Sequence, residues 1–245
     1  MVTNSTGTGS IVASNAILRF DGGLTNDSAV ALSFGTTYVL GDVTNSNTGT
    51  IAIAGNSGAT FYDDVTNSGT LNVAGGSTAV FFGALAGNGN IGSGDIQALG
   101  DLLPGASPGT MTFGGDLTLG PLTNLEIELS GLTAGSQFDQ LVIAGDATLA
   151  GTLNVSLIDG FTLAAGQQFE ILNVGGSLVG AFAGLAEGDL FGNFGGTNLL
   201  ITYAGGDGND VTLLTALPGD FDIDGDVDGF DFLTWQRGGS PTPLS

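Results

Sequence analysis

Within twelve residues near its C-terminus the chain places six carboxylates, on Asp220, Asp222, Asp224, Asp226, Asp228 and Asp231. Counted from Asp220 they occupy positions 1, 3, 5, 7, 9 and 12, with Gly225 at position 6 and the apolar Val227 at position 8. This is the spacing of a loop that wraps a single calcium ion. Side chains at 1, 3 and 5 converge on the metal, position 7 offers its backbone carbonyl, position 9 acts through water, position 12 closes the shell, and the glycine permits the sharp turn. Six aspartates so close repel one another unless a cation lies among them. That favours a metal loop over the plainer alternative, a solvated acidic tail, and one tight Ca2+ site is expected here.

Two other groupings could carry chemistry. Glu126 and Glu128 alternate along a predicted strand, which puts their carboxyl groups about 6.5–7 Å apart, inside the roughly 6.5–9.5 Å window of inverting glycosidases. Any strand with two outward-facing acids gives the same separation, so an exposed strand face is the expectation and no catalytic residue is assigned. Gly205, Gly206, Asp207, Gly208, Asn209, Asp210 and Val211 superficially match the calcium-binding nonapeptide of β-rolls. Thr212 stands where that motif needs an apolar residue, and the motif occurs once. A hairpin turn between strands at 199–203 and 211–214 accounts for it better.

The composition removes whole classes of function. The 245 residues include two basic side chains, Arg19 and Arg237, against 24 acidic ones, with no His and no Cys, for a net charge of -22. Without cations there is no counterion release to drive nucleic-acid binding, and an anionic membrane repels the chain. Without His, Cys or Lys there is no ordinary nucleophile–base pair, zinc cluster or Schiff base. Trp235, Tyr38, Tyr62 and Tyr203 offer no evident platform for sugars, and Trp235 is expected to anchor a short helix beside the acidic loop. No apolar run approaches the roughly 18–20 residues of a membrane span, and the start, Met1-Val2-Thr3-Asn4, lacks the pattern of a signal peptide. The partners this composition admits are cations, neutral glycans and other protein surfaces.

The elements that position these residues are strands. Short alternating bursts of Val, Ile, Leu, Phe and Ala between Gly, Asn, Ser and Thr give the period-two pattern of half-buried strands. Val-Thr-Asn or Leu-Thr-Asn recurs at 2–4, 24–26, 43–45 and 65–67, and a looser Leu-Ala-Gly-Asn follows at 85–88. A unit of about 20 residues cannot bury its apolar face alone, so such repeats stack as the rungs of a β-solenoid. Asn4, Asn26, Asn45 and Asn67 then fall at equivalent corners, where they form either a ladder of stacked amides or ordinary turns. Asn4, Asn26 and Asn154 also lie in N-x-Ser/Thr sequons, and a stacked, inward amide cannot carry a glycan. The breaker cluster at 104–109 marks a change to longer strands, predicted at 110–113, 122–129, 138–143, 148–157, 169–174 and 199–203. Three regions follow: solenoid repeats over 1–103, a longer-stranded β-helix continuation or sandwich-like cap over 104–216, and the acidic tail over 217–245.

The stretch from Pro108-Gly109-Thr110 through Leu125-Glu126-Ile127-Glu128-Leu129, Phe138-Asp139-Gln140-Leu141, Leu149-Ala150-Gly151-Thr152-Leu153 and Gly206 to Leu213 resembles the C-terminal part of the β-helix passengers of autotransporter-like surface proteins. The tail resembles the first half of a dockerin type I repeat, of the kind that ends many planctomycete secreted proteins. Its twelfth position is Asp231, where an EF-hand carries Glu, and Phe232-Leu233-Thr234-Trp235-Gln236 reads as the short helix that follows. In such tails a second half comes next, and Pro241-Thr242-Pro243-Leu244-Ser245 looks like its first residues. These resemblances imply an exported, all-β, right-handed β-solenoid with a strand-rich C-terminal cap and a short calcium-loop tail. They imply a non-catalytic structural protein of the bacterial cell surface, secreted, binding Ca2+ and associating with itself, head to tail in a filament, or with another surface protein. The alternative is an adhesin or carbohydrate-binding module attached through its tail, for which a cohesin is the implied partner.

Overall fold

A computed structural model describes residues 1–5, 9–105, 107–217, 219–220 and 227–237. Strands between Val2 and Gly180 enter three parallel sheets in rotation, so that every third strand joins the same sheet. The first sheet runs from Val2–Asn4 to Thr152–Leu157, the second from Ser10–Ser14 to Gln168–Val174, and the third from Ile17–Phe20 to Leu178–Gly180. The chain is a β-solenoid, and stacking of the repeats is the reason: Val2, Leu24, Val43, Val65, Leu85, Leu102, Leu125 and Leu153 succeed one another in register along the first sheet.

Inward side chains alternate with outward ones on most strands of the coils. In one coil Val65, Leu71, Val73, Ala79 and Phe81 are all buried, and each lies above its counterpart in the coil before. Phe61 and Phe81 show the result, with ring centroids 4.9 Å apart and planes 5° from parallel. That separation is the spacing of neighbouring strands, about 4.8 Å, so the ring stack and the backbone ladder are satisfied by one repeat distance.

The Asn corners form the ladder. Asn4 Nδ2 donates to Asn26 Oδ1 at 2.7 Å, Asn26 to Asn45 at 2.8 Å, and Asn45 to Asn67 at 2.8 Å, across sequence separations of 22, 19 and 22. The same amides also donate to the carbonyls of Ala29, Ser28, Thr50, Gly49 and Thr70, which holds each corner against the next coil. The tight turn beside them demands glycine: a Cβ on Gly69 would be driven into the carbonyl oxygens of Ser46 and Gly49. The ladder ends where Gly87, at φ +114°, replaces the next Asn, leaving Asn67 Nδ2 with no acceptor among the described residues.

The sheets continue unbroken past Pro104, and the change of texture there is one of coil length. Partners in successive coils become 28 or 30 residues apart, with part of the extra length in the loop that leads from Leu129 to Gln140. The predicted strand at 148–157 is two strands, Ala147–Leu149 and Thr152–Leu157, because Gly151, at φ +76°, turns the corner between sheets. Beyond Gly180 the pairing reverses. Asp210–Thr215 adds antiparallel to Gln168–Val174, followed by Thr197–Gly205 and Leu190–Phe194, so the second sheet is extended by a meander in place of a separate sandwich.

Because Asn45 both accepts from Asn26 and donates to Asn67, replacing it removes both bonds and leaves the buried Asn67 Oδ1 without this donor. Asn45→Ala is expected to cost on the order of 2–4 kcal/mol in urea unfolding. Asn4→Ala, at the end of the ladder, is expected to cost less.

Candidate functional site

Three of the six expected calcium ligands, Asp220, Asp228 and Asp231, are described; Asp222, Asp224 and Asp226 lie outside the described residues. The loop leads into a helix, Gly229–Gln236, that begins three residues earlier than the sequence suggested. Its start is fixed by a reciprocal cap: Asp228 accepts from the Phe230 N–H at 2.6 Å, and the Asp228 N–H donates to Asp231 Oδ2 at 2.5 Å. Such a capping box satisfies donors that a helix terminus otherwise leaves unmet. It also holds position 12 of the loop, Asp231, in the first turn of the helix.

The two ends of the loop come together. Asp220 and Asp231 are buried at 5 % and 2 % exposure, and Gly219 lies against Val227, within van der Waals reach of a Cβ placed on the glycine. Gly219, Val227, Asp228, Asp231, Phe232 and Trp235 line one small cavity. Trp235 packs on Phe232 at 5.8 Å and stays half exposed. An oxygen-only donor set of this spacing is the chemistry that suits a hard divalent ion such as Ca2+. Among the described residues no group of three or more His, Cys, Asp or Glu is gathered to hold a metal. Any complete shell therefore has to draw on Asp222, Asp224 and Asp226.

Glu126 and Glu128 stand half-buried on the outer face of Asn124–Leu129 and are already engaged. Glu126 accepts from Asn154 Nδ2 at 2.8 Å, and Glu128 accepts from the Ser107 hydroxyl. They share a cleft of roughly 480 Å³ with Asp101, Ser156 and a residue that sequence reasoning passed over, Asp139. Asp139 is 2 % exposed and binds two backbone donors, Gly109 N–H at 2.6 Å and Glu128 N–H at 2.8 Å, so it pins Gly109 to the first sheet. Burial raises its pKa to about 6, against the lowering effect of those two hydrogen bonds, and the nearby Glu128 charge adds to the rise. The sequence carried no signal for this, since Asp139 looks like any polar residue at the mouth of a strand. Its burial comes from the loop that folds back before it.

The glycine-rich segment before Val211 is a hairpin turn. Its Asn209 Nδ2 donates to the carbonyls of Val174 and Gly176, and Asp210 Oδ1 accepts from the Val174 N–H at 2.6 Å. These side chains complete the hydrogen bonding at the corner where the parallel strands give way to the antiparallel cap. Of the sequon residues, Asn4 and Asn26 are buried in the ladder, while Asn154 is exposed. No protein family, no curated protein and no solved structure matches the chain. The β-solenoid therefore rests on its own sheets and register.

A carboxylate with a raised native pKa disfavours folding where it is charged. The contribution of Asp139 is therefore most favourable below its unfolded value near 3.8 and is lost as pH rises through about 6. Carboxyl-carbon NMR is expected to show Asp139 titrating with a midpoint of about 6, and Asp139→Asn should remove this step from the pH dependence of stability.

Proposed function

We propose that this chain is a non-catalytic, extracellular structural protein of the bacterial cell surface: a stiff β-solenoid rod whose C-terminal loop, 220–231, is ordered by calcium. The observation that carries this reading is the unbroken in-register stacking of three parallel sheets, locked at one corner by a buried amide ladder. Each coil is held by its neighbours on both sides, which makes the rod a spacer of fixed length. A net charge of -22 keeps such rods apart in solution and suits an environment where divalent cations are plentiful.

The ends of the rod differ, and this bears on assembly. Head-to-tail stacking requires unpaired strands at both ends, yet in the second sheet, whose edge is Leu190–Phe194, the last parallel strand is already paired with Asp210–Thr215. A copy stacking there would have to displace this strand, so we favour a capped rod over a unit of a filament. Attachment then falls to the tail, where the short helix exposes Phe230, Phe232 and Leu233 beside the acidic loop.

For the metal, the Asp220→Ala/Asp224→Ala double variant is expected to abolish calcium binding in calorimetry. In the unaltered chain, calcium at about 100 times its dissociation constant should stabilise whatever unit folds with the loop by about 2.7 kcal/mol. Unchanged affinity in the double variant would remove the loop as the site. For the assembly, electron microscopy and light scattering with calcium present are expected to show discrete rods at all concentrations, and filaments under those conditions would overturn the capped-rod reading.

A further inference from the structure

A groove among the described residues lies in the cap, bounded on one side by Phe138, the chain neighbour of Asp139 in the Glu126 cleft. It measures roughly 570 Å³, within the about 300–1,000 Å³ of small-ligand sites. Its floor is a row of polar side chains set by strand register. Glu170 is directly opposite Thr212, and Thr212 is directly opposite Thr202, across three antiparallel strands. Glu187 closes the row by accepting from the Thr202 hydroxyl and, at 2.6 Å, from the Tyr203 N–H. With strands about 4.8 Å apart, the three register positions span about 10 Å, room for two pyranose rings.

Beside this row the lining is apolar. Phe138 and Leu214 face the groove, and Phe138 is fixed by an edge-to-face contact with Phe169 at 5.5 Å. Gln168, exposed at the rim, adds an amide that can donate and accept. We propose that this groove binds a neutral, hydroxyl-rich ligand, a short saccharide, with the hydroxyls on the Glu170–Thr212–Thr202 row and the C–H face against Phe138 and Leu214. The proposal is independent of the structural role argued above.

The charges select this ligand class. Two carboxylates and no basic residue line the groove, so an anionic ligand is repelled. The carboxylates are tied as oriented acceptors and do not converge as metal ligands. Both oxygens of Glu187 are engaged, and Glu170 Oε1 accepts from Asn173 Nδ2 at 2.9 Å and Gln140 Nε2 at 3.2 Å. Ionised carboxylates accept and cannot donate, and sugar hydroxyls are donors that their remaining lone pairs can take. Acceptors held in place before binding lose little freedom when the ligand arrives.

The test is an array of neutral oligosaccharides, with acidic and aminated glycans printed beside them, probed with the full chain and followed by calorimetry on the bound sugars. A neutral glycan is expected to bind saturably. Glu170→Gln and Thr212→Val should each weaken it about tenfold, since a site built to pair with hydroxyls penalises lost partners. Gln168→Ala, on an exposed side chain that leaves the fold intact, should weaken it severalfold, and Gln97→Ala on the third sheet should leave it unchanged. Binding of no neutral glycan, binding confined to acidic or aminated glycans, or affinity indifferent to Gln168→Ala and Glu170→Gln in folded protein would each overturn the proposal.

Discussion

Everything in the rod depends on one spacing, the distance of about 4.8 Å between hydrogen-bonded strands. A coil of this size has too little apolar surface to hold itself together, so each coil is stable only because the next repeats its residues at that distance. The ladder Asn4, Asn26, Asn45 and Asn67 and the stacked pair Phe61 and Phe81 are two solutions to the same constraint, one polar and one apolar. In the ladder every amide meets a copy of itself, so a buried polar group that would otherwise be costly becomes a fixed point of register. Glycine at the corner is the steric half of that arrangement, since the carbonyls of the preceding coil fill the space a side chain would take.

A stack built this way has no natural end, because the last coil always exposes strands for another. The cap resolves this at the second sheet by reversing direction. Asp210–Thr215 is buried along its length, with Val211 and Leu213 in the core and Thr212 and Leu214 at the bottom of the groove on the outer face. Tyr203 ties the meander down: its hydroxyl donates to the Leu185 carbonyl at 2.9 Å and accepts from the Phe182 N–H at 3.0 Å. Burial raises the pKa of that phenol, in keeping with its place inside the cap. The floor of the groove on the outer face forms because antiparallel register brings Glu170, Thr212 and Thr202 into one row.

The acidic character of the chain is organised differently at different sites. Asp139 and Asp210 are spent inside the protein as acceptors for backbone N–H groups that strand ends would leave unmet. Asp220 and Asp231 are buried near the C-terminal helix, where Asp231 accepts from the Asp228 N–H in the capping box. The same residue type thus caps strand ends in the rod and a helix start in the tail.

By itself the sequence determined the repeat. Val-Thr-Asn at intervals of about 20 residues announced stacked coils, and the recurrence of Asn at one offset pointed to the ladder, because in-register stacking maps identical residues onto one another with no reference to the rest of the chain. The spacing of Asp220, Asp222, Asp224, Asp226, Asp228 and Asp231 is likewise a local pattern, and the calcium loop it suggests remains a proposal, with Asp222, Asp224 and Asp226 outside the described residues. What only the tertiary structure decided lies where distant segments meet in a way no period encodes. The burial of Asp139, the continuation of the sheets past Pro104, the reversal at Gly180 and the row Glu170, Thr212 and Thr202 all depend on which strand lies beside which. Strand pairing in a cap is set by the shape of the surface it must cover, and that surface exists only once the coils have stacked.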